Sequence, residues 1–140
     1  LIAKYEGVEP TFLEINNGAW KEALLEAVTL LKNLIEVEKF HPSQITILSP
    51  HGRDETKIRN QKYNDTKSIE GLGVEVSSVF RFKGLENEIV IFLIPNFASL
   101  EASYTRNPLN LVYVGISRAK FLLYLIGNKE VKNKINWDKN

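Results

Sequence analysis

The 140 residues suffice for one domain with a core of its own, and 44% hydrophobic against 25% charged side chains exclude an intrinsically disordered chain. Eighteen basic and 17 acidic side chains leave a formal charge of +1, well short of the basic excess of a protein that coats nucleic acid, although a few local cations suffice to grip phosphates. The absence of cysteine excludes disulfides and thiolate metal sites, and His41 and His51 leave zinc almost without ligands. No apolar run approaches the ~18–20 residues of a bilayer span and no signal peptide is visible, so a soluble, cytoplasmic protein is expected.

The chain opens on Leu1 and contains no methionine, which reads as one domain, residues 1–140, cut from a longer polypeptide. Thr11 to Ile15 alternates loosely as a short strand, and Asn16 or Asn17 is placed to cap the helix that follows. From Trp20 to Val37 the apolar positions Trp20, Leu24, Ala27, Val28, Leu31, Leu34 and Ile35 recur as the stripe of an amphipathic helix. His41-Pro42-Ser43 ends it, and Ile45 to Leu48 reads as a buried strand. Arg53 to Lys62 is polar, with Ile58 its only large aliphatic residue, and is expected as a surface helix or an ordered loop.

Tyr63 to Gly73 carries turn residues without periodicity. Val74 to Val79 and Glu88 to Ile94 are the next strands, the second apolar almost throughout, as in a strand covered on both faces. Phe97 to Arg106 reads as loop. Asn107 and Pro108 are a cap and a first helical residue, followed by an inward stripe of Leu109, Val112 and Ile116. Phe121 to Ile126 is a further buried strand, and Lys129 to Ile135 a closing helix. Apolar strands separated by helices predict a three-layer α/β/α sandwich with a mainly parallel sheet. No internal repeat, low-complexity tract or second domain interrupts the chain.

Two segments carry chemistry. Val79-Phe80-Arg81-Phe82-Lys83-Gly84-Leu85-Glu86 runs into an apolar strand, and so does Tyr113-Val114-Gly115-Ile116-Ser117-Arg118-Ala119-Lys120. The first resembles motif V of UvrD/Rep-type superfamily I helicases, written roughly H-x-x-KGLE. The second is similar to their motif VI, YVAxTRAK or YVGxSRAK. The order and the spacing fit that family's second RecA-like lobe. The match is good over residues 74–127 and looser over the amphipathic helix and Ile45 to Pro50.

The resemblance implies roles residue by residue. Arg118 stands where the family's arginine finger meets the γ-phosphate, a task suited to a rigid guanidinium fork. Without the ISRAK context, an arginine near a helix end is a solvated cap favoured by the helix dipole. Gly84 lets the backbone approach the nucleotide, Glu86 is an acceptor for nucleotide hydroxyls or a neighbouring cation, and Lys83 is a positive group at the cleft between lobes. Leu85 is expected to pack inward. Phe80 replaces the histidine of many relatives and either stacks on a base or, like Phe82, fills core space; Arg81 is the candidate phosphate contact.

No GxxxxGK[ST] is present, no acidic metal pair is identifiable, and Arg53 in SPHGRDE does not match the family's motif IV. The resemblance therefore implies ATP and Mg²⁺ bound mainly by an N-terminal RecA-like lobe of the same polypeptide, single-stranded DNA as the other partner, and an isolated chain that neither hydrolyses ATP nor unwinds duplex. Two other readings remain: a degenerate helicase lobe kept as a non-catalytic interaction module, and another nucleotide-binding α/β enzyme, which the lack of GxGxxG disfavours.

Overall fold

The structure is a computed structural model that describes residues 8–82, 85–101 and 109–135. Within them five strands and five α-helices follow in the order β1 Pro10–Glu14, α1 Trp20–Lys32, β2 Ile45–Ser49, α2 Glu55–Arg59, β3 Glu75–Ser78, β4 Asn87–Ile94, α3 Ala98–Glu101, α4 Leu109–Ile116, β5 Ala119–Gly127 and α5 Lys129–Lys134.

The strands form one sheet in the order β1-β5-β4-β2-β3, and every neighbouring pair is parallel. Central β4 shows why its sequence is apolar throughout. Ile89, Ile91 and Leu93 face a core shared with Ala27, Leu31 and Leu34, whereas Val90, Phe92 and Ile94 face a second core with Val112, Ile116 and Val131. Successive strand residues point to opposite faces, so a strand with helices on both sides must be apolar at every position. The helices α1 and α2 cover one face and α3, α4 and α5 the other, the three-layer sandwich expected from the sequence.

Of the predicted α1 stripe Leu24, Ala27, Val28, Leu31 and Leu34 are buried, with Ala23 added, and Trp20 and Ile35 pack against them partly buried. Its capping differs from expectation. Ala19 holds the N-cap position without a side-chain bond; instead the Glu22 carboxylate accepts from the Asn16 and Asn17 amides at 2.7 and 3.0 Å, and Asn17 Oδ1 accepts from the Ala19 amide. The last turn, Asn33–Val37, widens into a π-helix. His41 then caps a short 3₁₀ turn that feeds β2, its Nδ1 accepting from the Ser43 amide while Gln44 Oε1 accepts from the His41 amide.

Two other expectations are corrected. Residues 53–62 hold a helix, α2, exposed at Thr56 and Lys57 but anchored more deeply than a surface helix was expected to be: Ile58 is fully buried and Asp54 and Glu55 are nearly so. The stretch expected as loop from Phe97 contains α3, started by Asn96, whose Oδ1 accepts from the Ser99 amide at 2.9 Å. The Asn107-Pro108 helix start lies outside the described residues, although the helix it predicts is present from Leu109.

Gly115 is where α4 comes closest to the sheet. A Cβ there would lie 2.3 Å from Cε2 of the buried Phe92 ring, so the helix can sit at this distance only without a side chain.

Candidate nucleotide and single-strand interface

The connection from β3 to β4 positions the first chemical segment. These strands flank β2, so residues 79–86 must return from the C-terminal end of the sheet to its N-terminal end, and the described part of the connection does so in turns, without an α-helix. The Val79 amide donates to the Ser49 carbonyl at 3.0 Å, the Phe82 amide to the Ser78 carbonyl and the Leu85 amide to the Phe82 carbonyl. Val79 and Phe82 are buried in the core beneath α4 and anchor the crossing. Phe80 and Arg81 thereby lie near the C-terminal end of β3, and Leu85 and Glu86 near the N-terminal end of β4.

Of the two phenylalanines, one is core and one is not, as the sequence suggested. Phe82 is 2% exposed, whereas Phe80 is 46% exposed and available as a platform. Leu85 departs from expectation. It is 53% exposed and does not pack inward, two residues before the chain enters β4. Glu86 is exposed; Lys83 and Gly84 lie outside the described residues.

Arg118 sits in the turn between α4 and β5, its amide donating to the Gly115 carbonyl at 3.1 Å. The side chain is half-buried, and its Nε is enclosed with no hydrogen-bond partner among the described residues. No ion pair reaches it among those residues, whereas neighbouring Lys120 lies 3.8 Å from Glu88. The Asn87 amide donates to the Arg118 carbonyl at 3.0 Å, and Asn87 is paired with Ala119 in the β4–β5 register. The structure thus brings together Arg118 and the end of the segment that carries Glu86, two stretches some thirty residues apart in sequence.

Arg81 is engaged otherwise than expected. Its Nε donates to Glu55 Oε2 at 3.0 Å and its Nη2 to the Val76 carbonyl at 3.2 Å. Glu55 is almost buried and accepts from two further donors, Arg59 Nη2 at 2.8 Å and the Ser78 amide at 2.7 Å. Burial pushes the Glu55 carboxyl up, but Arg81, the Ser78 amide and Arg59 outweigh it and hold it below its ordinary value. Sequence reasoning missed this clasp. The Glu55–Arg59 spacing of four is a legible helical pair; its burial and its third member are not legible, because Arg81 arrives from another element.

Beside it, after β2, His51 and Asp54 are buried, and His51 Nε2 and Asp54 Oδ2 lack hydrogen-bond partners among the described residues. Burial, followed by the nearby Arg53, lowers the His51 pKa against the opposing effects of Asp54 and the Ser99 backbone. A neutral imidazole there is consistent with its enclosure.

Against this geometry the comparisons fall into place. Residues 73–126 match the model of the UvrD-like helicase C-terminal domain. The helicase resemblance holds. The matched stretch begins at β3, contains both chemical segments and ends in β5. The fold is also similar to a solved structure, the C-terminal domain of a possible DNA helicase from Lactobacillus plantarum WCFS1. That similarity has a TM-score of 0.63 at 19% identity, over 88% of this chain and 76% of the other. No curated protein matches the sequence. No helix among the described residues is long and apolar enough to cross a membrane.

Proposed function

We propose that this UvrD-like lobe is the arginine-finger half of an ATP-dependent superfamily I DNA helicase. The observation that carries the reading is the bond from the Asn87 amide to the Arg118 carbonyl, which holds the Glu86 end of the β3–β4 connection against the arginine-bearing turn. Lys83, Gly84 and Glu86 take the nucleotide side, Arg118 is the cation for the γ-phosphate, and Phe80 and Arg81 take the single-strand side.

The enclosed, unpartnered Nε of Arg118 fits this role, since a guanidinium without an internal carboxylate keeps its charge for an incoming anion. Mg²⁺ and most of the ATP contacts are assigned to the N-terminal RecA-like lobe, as the helicase resemblance implies. That lobe supplies the phosphoryl-transfer chemistry when nucleotide is bound; this chain supplies a positioned cation and a route to the strand. The connection anchored by Phe82 spans both ends of the sheet, so closure on the nucleotide at Glu86 and Arg118 moves the backbone that bears Phe80 and Arg81.

Arg118→Ala in the parent protein is expected to lower ATPase kcat by ~10³ or more, the scale of arginine fingers, with a smaller loss of nucleotide binding and little change in Tm. Unchanged turnover would leave the lobe as a non-catalytic interaction module. The isolated chain is expected to show no ATPase above background.

A further inference from the structure

The two arginines that hold Glu55 are not equivalent. Every acceptor that Arg81 uses keeps another donor if Arg81 leaves: Glu55 Oε2 retains the Ser78 amide, and the Val76 carbonyl retains Arg59 Nη2 at 3.0 Å. If Arg59 leaves, Glu55 Oε1 loses the donor that satisfies it within a nearly buried carboxylate. Arg59 is 28% exposed and touches Glu70 on its outer side at 3.8 Å, whereas Arg81 is 61% exposed. Departure of Arg81 therefore orphans no buried acceptor among these groups and begins from a side chain already largely in water.

We infer that Arg81 is a detachable latch on a permanent Arg59–Glu55 pair: Glu55 is the positioning residue that holds Arg81 while no strand is bound, and Arg81 transfers to a backbone phosphate of single-stranded nucleic acid. The neighbouring Phe80 is exposed and offers a base-stacking face beside that phosphate, which distinguishes a nucleic-acid strand from a simple anion. Both partners of Arg81 are singly charged or neutral oxygens, and a phosphate accepts the same donor fork. This inference rests on the assignment of Phe80 and Arg81 to the strand side of the proposed function, and is independent of Arg118.

The test is fluorescence anisotropy of a labelled oligothymidylate with the full 140-residue chain across a salt series, for wild type, Arg81→Gln, Glu55→Gln and the double variant. Arg81→Gln is expected to weaken binding and to reduce the slope of log K against log[salt] by about 0.7, one single-strand phosphate contact. Glu55→Gln is expected to tighten binding about two- to fivefold, the range of an exposed ion pair, and to lose that gain when Arg81 is also Gln. A gain that persists in the double variant reflects removal of a negative charge alone and overturns the latch. Wild type and Arg81→Gln binding with the same slope also overturns it, while the Arg118 reading stands; a wild-type chain that binds no oligothymidylate overturns both the latch and the strand-side assignment.

Two further measurements test the latch, the first of them without any substitution. On unmodified chain, the Arg81 Nε–H resonance should shift as oligothymidylate is added while that of Arg59 stays; a stationary Arg81 signal overturns the latch. Arg59→Gln should lower Tm more than Arg81→Gln, and the reverse order contradicts the assignment of Arg59 as the permanent partner.

Discussion

Glu55 concentrates several constraints in one carboxylate. Truncation to Ala leaves two arginines that rehydrate readily and one amide, Ser78 N–H, that has lost its acceptor. The cost of Glu55→Ala is therefore set by that orphaned donor and is expected at about 1–3 kcal/mol in denaturant unfolding. Because its folded pKa is depressed, its contribution is present above the unfolded value and is lost as pH falls through the folded one. As pH falls from the ordinary carboxylate range through the depressed folded value, the wild type is thus expected to lose more stability than Glu55→Gln, a comparison readable from urea midpoints at each pH. At Gly115 the constraint is steric. Gly115→Ala drives a Cβ into the buried Phe92 ring, and an overpacking loss of about 1–3 kcal/mol is expected, with partial recovery on adding Phe92→Leu. Composition reveals neither residue, since both are decided by what another element brings against them.

At the scale of elements, the β3–β4 connection is the unusual one. Parallel strands are ordinarily joined by a helix of a dozen or more residues; here residues 79–86 cross with Val79 and Phe82 as their buried anchors. Phe82→Ala is expected to cost about 3–5 kcal/mol, in line with a fully buried aromatic. It should also raise amide exchange at Phe82, Leu85 and Asn87 more than in α1. Equal acceleration throughout would mean that the connection is not a separate anchored unit. Most elements were legible in the sequence, because period 3.6 in α1 and apolar runs in β4 and β5 depend on local pattern alone, although Phe121, expected in a buried strand, is 54% exposed at the start of β5. The short α3 was not, and α2 was left open between helix and loop, since four- and five-residue helices have too few turns to show a period; the exposure of Leu85 is not a local property of the sequence either.

For the molecule as a whole, the parallel sheet divides the apolar residues into two cores, with α1 and α2 over one and α3, α4 and α5 over the other. Both chemical segments belong to the second. The Arg118 turn follows α4, and the Phe82 anchor lies in the same core as Val112 and Ile116. Under the proposed function, movement of that layer against β4 is felt at the Arg118 turn and at the Phe82 anchor alike, while Arg81 is held from the other layer through Glu55. Val112→Ala is expected to loosen α4 by about 2 kcal/mol, somewhat less than a Leu truncation. If the parent protein is the helicase proposed above, Val112→Ala should uncouple unwinding from ATP turnover more than Leu31→Ala, a comparably buried truncation in the opposite core. Equal coupling in the two variants, measured as base pairs opened per ATP, would argue against this division.

By itself the sequence determined the class of fold, the strands and long helix, and the resemblance to UvrD-like helicase C-terminal domains, through Val79 to Glu86 and Tyr113 to Lys120, because periodicity and short motifs are carried by neighbouring residues. Only the tertiary structure decided that Asn87 and Arg118 share a hydrogen bond, that Glu55 rather than solvent holds Arg81, and that Phe82 but not Phe80 is core. Each of these is a contact between elements distant in the chain, and a parallel sheet makes every strand pairing such a contact. Its order, with β4 between β2 and β5, is set by the burial of whole strands, a property of no single segment.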